Sequence, residues 1–507
     1  MLFGGKILTV SKLPITGRID EAINIDEMET ATQIVGFFNT QNNWFSYKRL
    51  MSCVVISTRP LLTQDRSPFS IKKFLGIMIP LVFIVLLDSS FIKIYDIIEK
   101  SLIPIQTKLM IFSANSLLCI SLQYMLIRYL MSSWLRDSEL KKRVGSETFS
   151  FFYLVIILTL GALISSLTLQ MVYRQFYHII QTSLIIAISY GSAAAFIIRL
   201  SLLFFSWYRA NRNFVILLYS VSIALIAFNF IATATVAVVK INDRPDLVRQ
   251  YIGGSADISA GRYPLLDNIY SLSSLTSFIL LWITTMLLMS SYRSKLINVV
   301  IYWSVLSLPL VYFLIAYFYR FIFGSFLDRY LLIDPIGMSI LLTTFLSLSK
   351  PIGGLLFGVA FWNISRTLRH EWEVRTSMVI SGWGILLIFS TNQATVQSLA
   401  PYPPFGIATI TLLPLGAYLV LLGLYFTARQ VSSKASLRRL IGKHVTDLKL
   451  LDLIGQAETE KVVQKTVTEV MGKARLVDPE SKLELNDDEI KNYLDSAMRE
   501  VQEGRKK

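Results

Sequence analysis

The chain has 507 residues, of which 53% are hydrophobic and 16% charged, with a mean hydropathy of +0.54. That leaves too little polar surface for a soluble globular protein. Its formal net charge of +15 would point to nucleic acid only if it lay on one face of a folded soluble unit; the sequence offers no such unit, and no nucleic-acid partner is expected.

Residues 1–73 read as a cytoplasmic N-terminal segment. The stretch WFSYKRLMSCVVIS (44–57) is amphiphilic and the rest is polar. The opening MLFGGKILTVSKLPITGR lacks a signal peptide's continuous apolar core, so the first span is expected to act as its own insertion signal. Across 74–428, the transmembrane domain, apolar runs of about 20 residues recur, the length a helix needs to cross a bilayer. They are continuous, whereas barrel strands alternate over about ten residues. Ten spans are predicted: 74–92, 109–131, 149–172, 179–207, 214–239, 268–291, 296–319, 337–362, 377–394 and 406–428. The fourth and eighth exceed what a perpendicular helix needs, which predicts tilt, protrusion or a break. The fold class is therefore all-α: a polytopic helical membrane protein of about ten transmembrane helices, with residues 429–507 as a C-terminal amphipathic helical tail.

Charge among the spans is sparse. Of 49 basic residues only Arg128, Arg199 and Lys350 fall within them, and of 34 acids only Asp88. Arg128 and Arg199 lie near enough to the cytoplasmic ends of their spans to snorkel to headgroups. Lys350 lies 13 residues past Gly337 and 12 before Trp362, near the midplane, where a charge needs a partner or a water-filled cavity. Pro351 follows it and removes a backbone donor. Gly353, Gly354 and Gly358 come next. Two readings stay open. One is an interrupted helix with a polar binding spot, as transporters build at the midplane. The other is a proline kink with glycines for close packing and a lysine bonded to the carbonyls of Leu346 and Ser347, or to Asp88. In the ninth span Ser390, Thr391, Asn392 and Gln393 form a second polar cluster, either facing a cavity or capping the helix before PYPPFG. The candidate intramembrane site thus comprises Lys350, Pro351, Asp88, Asn392 and Gln393. Asn115, Gln123, Gln181 and Asn229 read as interhelical hydrogen-bonding residues.

Orientation follows from lysine and arginine. Intervals 132–148, 208–213, 292–295 and 363–376 hold eleven basic residues in 41 positions. The alternate loops hold ten over a greater length, largely offset by acids such as Asp243, Asp246 and Asp267. The first set is assigned to the cytoplasm, and both termini with it. Each even-numbered span also ends in an aromatic residue closely followed by arginine: Trp134 and Arg136, Trp207 and Arg209, Tyr292 and Arg293, Trp362 and Arg366, Tyr425 and Arg429. Aromatics favour the headgroup zone and cations the anionic cytoplasmic face.

Enzyme signatures are lacking. The sequence has no HExxH, GxSxG or GxxxxGK[ST], so metalloprotease, serine-elbow and P-loop chemistry are not indicated. The three histidines do not pair within spans as haem ligands would. Cys53 and Cys119 form no CxxC. One intramembrane acid cannot make a two-carboxylate mechanism. No cofactor or metal is implied.

In the tail, Leu437, Ile441, Val445 and Leu448 repeat at helical spacing, with Arg438, Arg439 and Lys443 interleaved as a membrane-surface basic set. Asn486 and Glu489 read as a capping box for a closing helix. The segments APYPPFGIATITLLPLGAYLVLLGLYFTARQVSSKASLRRLI (400–441), LLDLIGQAETEKVVQK (450–465) and NDDEIKNYLDSAMREV (486–501) resemble a group of uncharacterised multi-pass membrane proteins of ammonia-oxidising archaea. The resemblance covers about the last quarter of the chain. It implies an archaeal plasma-membrane setting and no site residues. Two functions are carried forward. One is a membrane sensor or scaffold acting on a protein partner through the tail, which is slightly favoured; the other is a transporter or permease with its site at the broken eighth helix. Beyond the lipid bilayer, the sequence names no ligand.

Overall fold

In a hydrocarbon environment every backbone N–H and C=O must be satisfied within the protein, so continuous apolar runs fold as helices. The computed structural model describes residues 70–98, 104–133, 146–242, 247–249, 264–289, 299–318, 345, 348–368, 371–397, 403–433, 437 and 451–463. The N-terminal segment, Cys53, Arg438, Arg439, Lys443 and the closing helix lie outside them. The helices are α1 (Ile71–Ile98), α2 (Ile105–Ser133), α3 (Ser146–Arg174), α4 (Ile179–Asn211), α5 (Phe214–Asn242), α6 (Pro264–Met289), α7 (Val299–Tyr317), α8 (Ser349–Thr367), α9 (Trp372–Gln397), the short α10 (Ile407–Ile410), α11 (Leu413–Ser433) and α12 (451–463). Seven stretches among the described residues are long and apolar enough to cross a membrane: α2 to α6, α9, and the run Ile407–Ser433. The protein is an all-α polytopic membrane protein.

A two-stranded antiparallel sheet interrupts the helices. Strand β1 (Phe176–His178) pairs with β2 (Leu247–Arg249), with Tyr177 opposite Val248. It joins the α3–α4 turn to the α5–α6 connection. The same connection is braced by an ion pair, Lys240 Nζ to Asp267 Oδ1 at 2.6 Å.

The long fourth helix runs unbroken from Ile179 to Asn211 and ends at Arg212, whose backbone turns left-handed (φ 44°) and whose N–H caps Tyr208. Two residues later α5 begins and returns along it. Ser201 and Ser220 then exchange hydroxyl-to-carbonyl bonds at 2.9 and 3.0 Å, pinning the two helices together.

The centre of the bundle is α11. The most apolar stretch of Ile407–Ser433 is buried along its whole length, and that of α9 is 83% buried, against 28% in α3. Glycine makes this packing possible. A Cβ on Gly384 of α9 would lie 2.8 Å from the carbonyl oxygen of Gly416 in α11, and one on Gly358 of α8 would lie 2.8 Å from that of Gly382. Small residues let backbones approach in this way where no hydrophobic force distinguishes helix from lipid.

Within the tail, α12 is docked on the bundle. Leu451, Ile454 and Ala457 of α12 are buried, and Gly455 lies against Val431 at the end of α11. Trp207 of α4, expected among headgroups, is fully buried and donates Nε1–H to Glu458 Oε2 at 2.8 Å.

Candidate functional site

Pro351 explains where α8 begins. In a first turn its missing N–H costs nothing, because donors there have no intrahelical acceptor, and its fixed φ suits the helix. The helix starts at Ser349, with Lys350 second and Pro351 third. The sequence put Lys350 deep inside a span; the structure puts it in the first turn of α8. The glycines that follow are contact points, not loose joints. A Cβ on Gly353 would sit 2.5 Å from Cζ of Phe278 in α6, and one on Gly354 would sit 2.6 Å from Cβ of Phe389 in α9.

The carbonyls of Leu346 and Ser347 lie outside the described residues. Nζ of Lys350 donates to Tyr270 Oη at 3.3 Å and stands 5.5 Å from the centre of that ring, within cation–π range. Lys350 and Asn392 line one pocket. Asn229, Ser274 and Ser277 complete its polar lining, and Phe230, Phe278 and Phe389 with two isoleucines wall it. Its open centre admits about one water molecule.

A polar chain runs behind this pocket through four helices. Tyr190 Oη of α4 donates to Asn392 Oδ1 at 3.3 Å, and Asn392 Nδ2 of α9 donates to Asn229 Oδ1 at 3.1 Å. Asn229 Nδ2 of α5 donates to Ser273 Oγ at 2.9 Å and to the Tyr270 carbonyl at 3.4 Å in α6. Asn392 therefore faces a cavity. It does not cap α9, which continues to Gln397. Gln393 has its backbone in α9, and its side chain lies outside the described residues. Ser390 is buried, and its hydroxyl has no hydrogen-bond partner among the described residues.

Asp88 belongs to a separate cluster. It makes no ion pair with Lys350, so the pairing weighed from the sequence is not formed. Its Oδ1 accepts from Asn115 Nδ2 of α2 at 2.9 Å, and its Oδ2 accepts from Thr409 Oγ1 of α10 at 2.9 Å. The Gly406 backbone N–H donates to it as well. Gln123 Nε2 of α2 adds a bond to Thr411 Oγ1 at 2.8 Å. These side chains hold the buried turn 403–412, where Gly406 takes φ 90°. Non-helical backbone at membrane depth survives only where the protein satisfies its polar groups, and Asp88 supplies acceptors for that purpose.

Arg128 and Arg199 are exposed on the bundle's perimeter, where a snorkelling arginine belongs. Among the described residues no three His, Cys, Asp or Glu side chains group as metal ligands do. No family model, curated protein or solved structure matches this chain. The site's geometry is thus the ground for function. Sequence reasoning missed Tyr190, Tyr270, Ser274 and Thr409. Each is a polar residue in an apolar run, a signal shared with many residues that only bond back to their own helix, as Thr391 does to Leu387 at 2.8 Å.

Proposed function

We propose that this protein is a multi-pass protein of the plasma membrane, in an archaeal setting, with ten spans and both termini cytoplasmic. In this reading it acts as a sensor or scaffold through its C-terminal tail. The observation that carries the reading is the seat of α12. Trp207 and Val431 stand at the ends of α4 and α11, and α12 closes over both. Because α11 is the core of the bundle, a shift among the spans moves the surface on which the tail rests. Arg438, Arg439 and Lys443 hold the intervening segment on anionic lipid, and the residues beyond α12 meet a protein partner.

Limited proteolysis of right-side-out vesicles tests this. The tail should resist protease until the vesicles are opened. In opened vesicles, Trp207→Phe should speed cleavage within 434–450 about tenfold or more, since a hydrogen bond to a charged group contributes about 1.5–3 kcal/mol. A tail cut from outside sinks the orientation. An unchanged rate in Trp207→Phe sinks the docking argument.

The pocket at Lys350 favours a second reading, a transporter or permease. Flux in proteoliposomes that Lys350→Met abolishes would establish it, and absence of flux would leave the tail reading alone.

A further inference from the structure

We infer that α4 holds one anionic phospholipid, with its phosphate between Arg199 and Arg209 and its chain laid along the exposed side of the helix. The inference rests on neither the tail nor the Lys350 pocket. Its first ground is depth. Open sheet edges do not occur in hydrocarbon, so β1 lies outside the membrane core, and α4, which starts directly after it at Ile179, enters the core near that residue. From Ile179 to Arg199 the helix rises about 30 Å, the thickness of the hydrocarbon. Arg199 therefore stands at the edge of the hydrocarbon, and residues 200–211 run on through the headgroup layer. Arg199 and Arg209 are both exposed, about 15 Å apart along the helix. Leu202 and Phe205, 56% and 42% exposed, lie between them.

The second ground is unpaired charge. Arg209 Cζ stands 5.6 Å from the centre of the Phe205 ring. Phe205 lies one turn nearer the membrane, so this contact turns the guanidinium back along the helix toward Arg199, the direction in which helical side chains lean. Arg199 leaves the hydrocarbon only by reaching the other way, toward the headgroups. The two cations thus converge on the level of Leu202 and Phe205. Neither guanidinium makes a hydrogen bond or ion pair among the described residues, and α4, α5 and α11 contain no Asp or Glu. Glu458 of α12 is bonded to Trp207, which at two residues from Arg209 points to the opposite side of the helix. Arginine stays charged, and its planar donors match a phosphate. In the headgroup layer the anion at hand belongs to lipid. The third ground is room for the chain. Gly191 and Ala195 continue the exposed side of α4 into the hydrocarbon, and a Cβ on Gly191 would meet nothing within 4 Å. These small residues leave a groove beside the helix.

Native mass spectrometry of the full chain in detergent, titrated with phosphatidylglycerol and separately with phosphatidylcholine, tests the assignment. The expected result is one phosphatidylglycerol per chain at concentrations where phosphatidylcholine does not bind. Arg199→Gln and Arg209→Gln should each weaken binding about tenfold, as loss of hydrogen bonds between charged groups implies, while Arg128→Gln, at the perimeter of α2, should leave it unchanged. Ala195→Trp keeps both charges and fills the groove, and should weaken binding too. Both arginines are exposed, so their variants keep the packing of the bundle; unfolding in detergent checks this, and Ala195→Trp provides a second test that keeps both cations. Equal binding of the two lipids, or equal binding by all variants, overturns the inference. So does displacement by excess inorganic phosphate, which would make this a site for a free anion. An equal loss in Arg128→Gln would mean general charge attraction, and would overturn it as well.

Discussion

Replacing Asp88 separates the two things that residue does in the bundle. Asp88→Ala removes the acceptor for Asn115 Nδ2, Thr409 Oγ1 and the Gly406 N–H. Thr409 keeps a second acceptor, the Gly406 carbonyl at 2.9 Å, so two donors are left unpaired. An unsatisfied buried donor costs about 1–3 kcal/mol, which puts the loss at about 2–6 kcal/mol. Asp88→Asn keeps the shape and one acceptor oxygen, so it loses about half of that. Both variants remove a charge from the membrane interior, a gain of roughly 2.5–3.5 kcal/mol on insertion scales. That gain is common to the two, and their difference isolates the hydrogen bonds. Equilibrium unfolding in mixed micelles should find Asp88→Asn close to the unaltered protein and Asp88→Ala less stable than Asp88→Asn by about 1–3 kcal/mol. Equal stability of the two variants would refute the argument that Asp88 holds the 403–412 turn.

Two further outcomes follow from the packing. Gly384→Ala forces a methyl group against Gly416 O and Val420 N, at 2.8 and 2.9 Å. Overpacking of this kind should cost about 1–3 kcal/mol, read by unfolding in detergent; a neutral variant would mean that α9 and α11 separate freely. Burial pushes the Asp452 carboxyl of α12 above its ordinary 3.8, against an opposing bond from Gln456. The docked tail therefore holds that proton more tightly than the free tail. Docking is strongest below the free value and weakens as pH rises through the raised one. Asp452→Asn should remove that dependence and slow tail proteolysis at neutral pH; an unchanged pH profile would count against the half-buried position of Asp452.

Some of this architecture is written in composition alone. Runs that are apolar on every side must be helices in lipid, so the positions of α2 to α6, α9 and α11 are legible without a fold. Pro351 marks a break or a kink by itself, but only the structure shows that it stands in the first turn of α8. Asn115, Gln123 and Asn229 could be read as interhelical links, because an amide in hydrocarbon must find a partner. Which partner it finds is a different matter. Asp88 meets Thr409, 321 residues away in the chain, and nothing local encodes that distance. Nor does hydropathy reveal the centre. The most apolar stretches within Phe151–Arg174 and Ile407–Ser433 are almost equally apolar, yet 28% of one is buried and all of the other. Lipid and protein interior are equally apolar, so the hydrophobic effect does not choose between them. Only close backbone approach at pairs such as Gly384 and Gly416, together with matched polar groups, decides which helix goes inside.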